Sequence, residues 1–280
     1  MDTPARKQYL RIKSEHPEEI LLFRMGDFYE TFDDDARVIS KQLDIALTTR
    51  EMGKGKRIPL AGIPYHALEG YLAKLIKAGN RVAICEQVSE PSASRGLIER
   101  EVVRVVTPGT VIEDSLIERG ANNYLAAVIT SSEIAGLSYV DITTGEFMAT
   151  EFSIDNLKEE IERINPSEII IDEGLEDASN WYSSITRLSQ FGLDINSATN
   201  ILLKHFEVKS LIPYGCADMP LAIKASASII NYLSGVQKSA LSQIKSLTTY
   251  SIDDFMIIDS TTRKNLELFS GGRQEDSEAS

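Results

Sequence analysis

The chain carries the segment ILLFRMGDFYETF at residues 20–32, in which two short apolar runs flank a glycine and an aspartate. Gly26-Asp27 is a tight-turn dipeptide, so the segment predicts a β-hairpin with one strand on each side of the turn. In an extended backbone, residues two positions apart project from the same face. The hairpin therefore places the ring of Phe28 beside the carboxylate of Glu30.

Two interpretations of Phe28 and Glu30 are open from these residues alone. An exposed ring can wedge into a stack of bases while the nearby carboxylate hydrogen-bonds a base edge, as apolar wedges do in minor-groove binders. Aromatic residues in strands more often pack in a core, and Glu30 is then a solvated charge at the rim. A helix over residues 28–32 would exclude the joint role, because the two side chains would lie about 200° apart.

The residues around the hairpin predict an α/β domain over residues 1–108. Thr3-Pro4 predicts the start of a short helix that ends before His16-Pro17. Asp33 is the predicted N-cap of a helix that runs to about residue 47, and Asp34 and Asp35 suit its positive end. The other predicted elements are a helix from Leu68 that ends at Gly79 and strands at 81–88 and 101–106.

Residues 48–57 (TTREMGKGKR) predict a flexible basic loop. Its cations are Arg50, Lys54, Lys56 and Arg57, and its two glycines allow the backbone to approach a ligand closely. The loop either binds phosphates or is an ordinary solvated surface loop.

A second α/β unit is predicted over residues 121–235, after a linker at 109–120. Strand-like runs predict an antiparallel meander at 124–130, 134–141 and 146–152. The meander is followed by a helix at 156–163, an apolar run at 168–172 and helices at 198–205 and 220–233. Residues 236–280 predict the beginning of a third, helical domain, with a strand at 255–258 and a helix at 261–269.

Composition and charge limit the class of protein. The chain has 280 residues, 42% hydrophobic and 25% charged, and no apolar run long enough to span a membrane. Cys85 and Cys216 are too few and too distant for a disulfide framework or a zinc site, so we expect a soluble intracellular protein. The net charge of −13 is uneven: residues 1–108 hold 17 Lys and Arg against 16 Asp and Glu, and the remainder holds 12 against 26. This asymmetry predicts different partners for the two halves.

The sequence offers little catalytic chemistry. It contains no phosphate-binding Gly-x4-Gly-Lys-Ser/Thr loop, so we expect no ATPase activity from this chain. Asp141 ends a predicted strand where a ribonuclease-H-like nuclease holds a metal, but two-metal chemistry needs further converging carboxylates. His16, His66 and His205 lie far apart, which favours loop or core positions over metal ligation.

Several segments together resemble the bacterial MutS family of mismatch-recognition proteins. They are LLFRMGDFYETF (21–32), IPLAGIPYHALEGYLAKLIKAGNRVAICEQ (58–87), VVRVVTPGT (102–110), YVDITTGEF (139–147) and IIDSTTRKNLELF (257–269). The resemblance extends over essentially all of residues 3–272.

The resemblance implies a role for each half. Residues 1–108 would be the mismatch-binding domain, in which Phe28 stacks on the mispaired base from the minor groove and Glu30 hydrogen-bonds it. Residues 121–235 would be a connector of ribonuclease-H-like fold, and 236–280 the start of the core and lever domain. DNA-backbone contacts or local support are expected from Arg24, Met25, Gly26, Asp27, Arg50, Lys54, Lys56, Arg57, Tyr65 and His66.

The resemblance also implies partners and cofactors. Mismatched double-stranded DNA, MutL at the connector and a second MutS subunit are the expected partners, in the cytoplasm near the bacterial nucleoid. ATP and Mg²⁺ would bind an ATPase domain that does not follow in this chain, so we expect no cofactor and no metal here. Two alternatives stay open: a fragment that binds MutL with negligible DNA affinity, and a metal-dependent nuclease that uses Asp141.

Overall fold

Two six-stranded sheets organise the computed structural model, which describes residues 3–53, 55, 57–88, 98–112, 122–171, 184–187 and 193–254. Each sheet combines parallel and antiparallel pairs and is covered by helices. The predicted α/β class is therefore confirmed. No helix in these ranges is long and apolar enough to cross a membrane.

The first sheet has the strand order β3-β4-β2-β1-β5-β6. Its strands are β1 (Ile20–Met25), β2 (Phe28–Phe32), β3 (Thr48–Glu51), β4 (Arg57–Pro64), β5 (Val82–Gln87) and β6 (Arg100–Val106), and its helices are α1 (Pro4–Glu15), α2 (Asp33–Leu43) and α3 (Leu68–Lys77). β1 and β2 form the predicted hairpin, with Met25 opposite Phe28 across the turn. Only the β1–β5 pair in this sheet is parallel within the described strands.

The two faces of this sheet hold separate cores. On one face, β2 contributes Tyr29 to a cluster with residues of α2 and α3, including Ile39 and Leu75. On the other face, Tyr9 of α1 packs edge-on against Phe23 and Phe32, with ring centroids 5.6 and 4.7 Å away. Phe28 and Glu30 share this second face with Phe32, because side chains alternate along a strand.

Three local predictions for this domain were wrong. The Asp33 carboxylate contacts Arg6 rather than capping α2, and Asp33 itself has a positive φ of 55°. α2 ends at Leu43, where Asp44 adopts a left-handed conformation, and does not reach residue 47. Residues 48–51 form β3, an edge strand with four exposed side chains, instead of a loop.

The second sheet has the order β11-β10-β7-β8-β9-β12. Its strands are β7 (Tyr124–Thr130), β8 (Ile134–Asp141), β9 (Glu146–Ser153), β10 (Glu168–Ile171), β11 (Ile185–Arg187) and β12 (Thr248–Thr249), and its helices are α4 (Leu157–Ile164), α5 (Ile195–Phe206) and α6 (Pro220–Val236). The meander β7-β8-β9 is antiparallel as predicted, and β10 continues it in parallel beside β7. This arrangement agrees with the ribonuclease-H-like α/β fold that we expected.

The second unit extends beyond residue 235, the boundary predicted from the sequence. Ala240, Ile244 and Leu247 are buried in the same core as α6, and Thr248-Thr249 pairs with β9. α6 lies so close to β8 that a Cβ on Gly136 would be 2.3 Å from the backbone carbon of Leu221. The strand predicted at 255–258 and the helix predicted at 261–269 lie outside the described residues.

One buried carboxylate joins the two units, and we call its contacts the Glu168 joint. Glu168, at the start of β10, is fully buried. It accepts hydrogen bonds from the Thr107 hydroxyl (2.5 Å), the Gly109 amide (3.0 Å), the Thr186 hydroxyl (2.6 Å) and the Tyr232 hydroxyl (2.7 Å). Two of these donors belong to the segment that leaves the first sheet and two to the second unit.

Candidate nucleic-acid interface

Phe28 is the first residue of β2 and lies at the end of the hairpin, next to the turn. Gly26 enables that turn with a φ of +61°, a conformation that costs residues with a Cβ. Phe28 is paired on both sides, with Met25 of β1 and Pro64 of β4. Its side chain is nevertheless 48% exposed, so the ring is not part of the described hydrophobic core.

Glu30 lies two residues further along β2, on the same face as Phe28. Its side chain is only 15% exposed and binds Arg50, whose Nη1 lies 2.9 Å from Oε1 and 2.7 Å from Oε2. Burial raises the pKa of the Glu30 carboxyl, and the charges of Arg50 and Arg100 oppose that rise. Glu30 is therefore a partly desolvated, paired carboxylate and not the solvated rim charge of the simpler interpretation.

Tyr29 packs on the opposite face of β2 and anchors the strand there. Its hydroxyl donates a hydrogen bond to Glu86 of β5, and burial together with this bond raises the pKa of Tyr29 to about 12, so the phenol stays protonated near neutral pH. The Arg24 guanidinium lies over the Tyr29 ring at 5.4 Å and over the Tyr65 ring at 4.1 Å. These contacts hold the strand that presents Phe28.

The structure brings together most of the residues that were predicted to support Phe28. Arg24 donates from Nε to the Gly26 carbonyl (2.5 Å), and the Asp27 carbonyl accepts from the Tyr65 amide (2.9 Å). Tyr65 is 46% exposed and contacts the His66 ring edge-on at 5.9 Å. The turn and the residues that follow β4 therefore lie next to Phe28 in the backbone, while Arg24 stacks on Tyr65 and on Tyr29 of the opposite face.

The basic segment is divided between two environments. Arg57 of β4 donates to the Thr49 hydroxyl (3.1 Å) within the β3–β4 ladder and remains exposed. Arg50 turns toward Glu30, so it lies on the face of the sheet that carries Phe28 rather than in a separate loop. Lys54 and Lys56 lie outside the described residues.

Arg100 is a functional candidate that was not predicted from the sequence. It is buried in β6, with its guanidinium 5.0 Å from the Phe23 ring centroid, and donates to the Arg24 carbonyl (2.6 Å). Its charge acts on Glu30 from the same face of the sheet, where Phe23 also lies. Burial lowers the pKa of Arg100 itself. Nothing in the local sequence could reveal it, because 70 positions separate it from Glu30.

Asp141 occupies the end of β8 as predicted, but its carboxylate serves the adjacent turn. It accepts hydrogen bonds from the Asn123 amide (3.1 Å), the Thr143 amide (2.8 Å) and the Thr143 hydroxyl (2.6 Å). In the part of the chain that the structure describes, no three His, Cys, Asp or Glu side chains are grouped so as to hold a metal ion. The geometry at Asp141 is that of a turn-stabilising carboxylate.

Comparisons with known proteins relate both units of this chain to one family. Curated relatives named DNA mismatch repair protein MutS include those of Dehalococcoides mccartyi (48% identical over 96% of this chain), Halothermothrix orenii (46% over 96%) and Syntrophomonas wolfei (41% over 99%). The chain spans about a third of the length of these relatives, namely 32%, 31% and 34%. Family models also match both units, MutS domain I over residues 3–115 and MutS domain II over residues 123–245. Since both halves match successive domains of one family, the chain belongs to the MutS family.

Proposed function

We propose that this chain is the mismatch-sensing part of a DNA mismatch repair protein and that Phe28 inserts at the mispaired base from the minor groove. The observation that carries this proposal is the half-exposed Phe28 ring, held at the end of a hairpin beside Glu30. The relatives' printed name, DNA mismatch repair protein MutS, supports the biological process.

Duplex deformability supplies the selectivity in this proposal. Inserting a ring between base pairs requires unstacking, which costs about a few kcal/mol per step in an ordinary duplex. A mismatched pair stacks poorly and kinks more easily, so insertion there costs less. The contacts of Arg24 with Tyr65 and with the Gly26 carbonyl order the turn that carries Phe28, so the backbone adds little ordering cost on binding.

Glu30 would increase the preference for mismatched over matched duplex. An ionised carboxylate near DNA phosphates is repelled unless a base offers it a hydrogen bond. Burial raises the pKa of Glu30, which makes the protonated, hydrogen-bond-donating form more accessible. The exposed Arg57, together with Lys54 and Lys56, would contact the backbone without reading sequence.

The test compares Phe28→Ala with Val103→Ala, which removes an exposed apolar side chain from β6 at the far edge of the same sheet. Fluorescence anisotropy at two salt concentrations measures binding to matched and single-mismatch duplexes. We expect Phe28→Ala to lose the preference for the mismatch and to keep weak, salt-sensitive binding, whereas Val103→Ala retains the preference. Equal discrimination by Phe28→Ala and wild type would contradict the proposal.

Partner binding through the second unit is a further candidate function. The side chain of Ile212 is 72% exposed at the end of a cleft of about 310 Å³ that Ile195, Leu203 and Leu211 also line. The acidic excess after residue 108 disfavours phosphate contact on this unit. Under this proposal MutL binds at this cleft, and a second MutS subunit binds at a different surface. The chain itself senses DNA and catalyses no reaction.

The partner proposal is tested by the affinity of MutL from the same organism for this chain. Ile212→Ser should weaken binding, while Ile134→Ser, an exposed isoleucine at the start of β8, should leave it unchanged. Unchanged MutL affinity in Ile212→Ser would remove the cleft from consideration.

A further inference from the structure

Arg50 and Glu30 come from strands that are not neighbours in the sheet. Glu30 of β2 pairs with Gly62 of β4, whereas Arg50 of β3 pairs with Ile58, four residues away along β4. The arginine therefore reaches diagonally across β4 to the Glu30 carboxylate. Gly62 presents no side chain beside Glu30, and a Cβ there would lie 3.5 Å from the Glu30 Cγ.

The ion pair is asymmetric in its exposure. The Arg50 side chain is 46% exposed and the Glu30 side chain 15%. Both short contacts use the same nitrogen, Nη1, so the pair is not the two-pronged arrangement that binds most strongly. A DNA phosphate can approach the arginine, while the largely buried carboxylate depends on Arg50 and Arg100 to offset its desolvation.

We propose that Arg50 is a specificity-determining positioning residue that controls when Glu30 meets DNA. Arg50 holds the Glu30 carboxylate paired against an ordinary duplex and releases it when a displaced base offers a hydrogen bond. This inference rests on the proposed function of Phe28 and Glu30. Arg50 then affects DNA binding by controlling the Glu30 carboxylate, which differs from a direct contact with a phosphate.

The pair has opposite consequences for the two kinds of duplex. On matched DNA, Arg50 neutralises a carboxylate that would otherwise repel the backbone. On mismatched DNA, the pair must open before Glu30 can bond to the base, which subtracts from affinity. Removing Arg50 should therefore weaken matched binding more than mismatched binding and raise the ratio of the two affinities. A simple phosphate contact would lower both affinities equally.

A double-mutant cycle separates these outcomes. Affinities for matched and single-mismatch duplexes are measured for wild type, Arg50→Gln, Glu30→Gln and the double variant. We expect Arg50→Gln to raise the affinity ratio by up to about fivefold, the range of exposed ion pairs, and to leave it unchanged in the Glu30→Gln background. Arg50→Lys should keep the ratio near that of wild type, because it restores the cation.

Arg57→Gln is the matched control, since Arg57 binds Thr49 and not Glu30. It should lower both affinities without changing their ratio. An equal change of ratio in both Glu30 backgrounds, or no change for Arg50→Gln, would overturn the inference while leaving the role of Phe28 intact. A wild-type chain without mismatch preference would overturn both proposals.

Discussion

Two adjacent residues of β2 meet opposite environments because a strand alternates its side chains. Tyr29 faces a closed core and remains a neutral hydrogen-bond donor, whereas Glu30 faces the partly open side on which Phe28 lies. Burial acts on both groups in the same chemical direction, since it disfavours the charged form. For Glu30 this produces a raised pKa and a dependence of stability on pH.

Glu30→Gln tests that dependence. A carboxyl whose pKa is raised on folding stabilises the folded state fully below its unfolded pKa, which is about 4.3, and loses that contribution as pH rises through the folded value. We therefore expect Glu30→Gln to increase the free energy of unfolding relative to wild type at pH 7, with a smaller gain at pH 4. Urea denaturation at both pH values measures the difference. The exposed carboxylate of Glu101 provides the control variant, Glu101→Gln, and a gain of equal size at both pH values would refute the explanation.

Gly26 and Gly70 allow the geometry of the turn to be tested by paired substitutions. A Cβ on either glycine meets no atom within 4 Å, so steric crowding is absent at both positions. Gly26 has a φ of +61°, and alanine there should destabilise the chain by about 1 kcal/mol. Gly70 lies in α3, where alanine should stabilise by about 0.5–1 kcal/mol. Chemical denaturation of both variants checks the sign, and a destabilised Gly70→Ala would show that another constraint operates.

At the scale of elements, the sequence predicted the helices and strands whose formation depends on neighbouring residues. The hairpin, α1 with its Thr3 cap, and the meander were all identified, because each is encoded by a turn dipeptide, a cap or an alternating apolar run. β3 was missed because its four residues, TTRE, are polar and exposed and become a strand only through pairing with β4. β11 and β12 have three and two residues, too short for a periodic pattern.

The candidate site was predictable only in part, for a related reason. Phe28 and Glu30 are two residues apart, so the strand period alone places them together. Their partners are distant in sequence: Arg50 is 20 positions from Glu30, and Glu86 is 57 positions from Tyr29. The order of strands in the sheet brings these groups together, and no local pattern specifies that order.

α6 shows how a long-range contact replaces a missing cap. Its N-cap residue, Met219, provides no side-chain hydrogen bond, but Oε1 of Glu151 in β9 accepts from the Leu221 amide (2.5 Å) and the Ala222 amide (3.0 Å). Glu151→Ala should lower the free energy of unfolding by about 1–2 kcal/mol, as the loss of a cap does. Glu151→Gln should recover part of the loss, since it keeps an acceptor oxygen. Urea denaturation measures both, with exposed Glu133→Ala as the control; no difference between Glu151→Ala and Glu133→Ala would contradict the capping role.

At the scale of the whole molecule, the Glu168 joint makes the two units depend on each other. Burial raises the pKa of Tyr232 well above its usual value, so its hydroxyl remains a donor to Glu168. Gly109 approaches so closely that a Cβ would lie 2.8 Å from the Glu168 Cβ. Arg81 of the first unit places its guanidinium 5.9 Å from the Tyr232 ring of the second unit, and an ion pair with Glu19 holds Arg81 within the first unit.

Glu168→Ala should uncouple the two units. It leaves four donors without their acceptor in a buried site, which should cost at least about 3 kcal/mol. Thr107→Val removes one donor and should cost less, about 1 kcal/mol. Differential scanning calorimetry should show one cooperative transition in wild type and a broader or divided transition in Glu168→Ala, with Thr130→Val at a partly exposed strand end as control. A single sharp transition at an unchanged temperature in Glu168→Ala would contradict a coupling role.

The position of β3 also bears on how separate molecules behave toward each other. Its backbone pairs with β4 on one side, and no other described strand pairs with its free side. Such a side is a template on which a strand of a second molecule can add and begin aggregation, and charged side chains discourage that addition. Arg50 and Glu51 are the charges on this strand. We therefore expect Arg50 to discourage self-association in addition to its proposed effect on Glu30, so that an apolar substitution at residue 50 promotes self-association at high concentration.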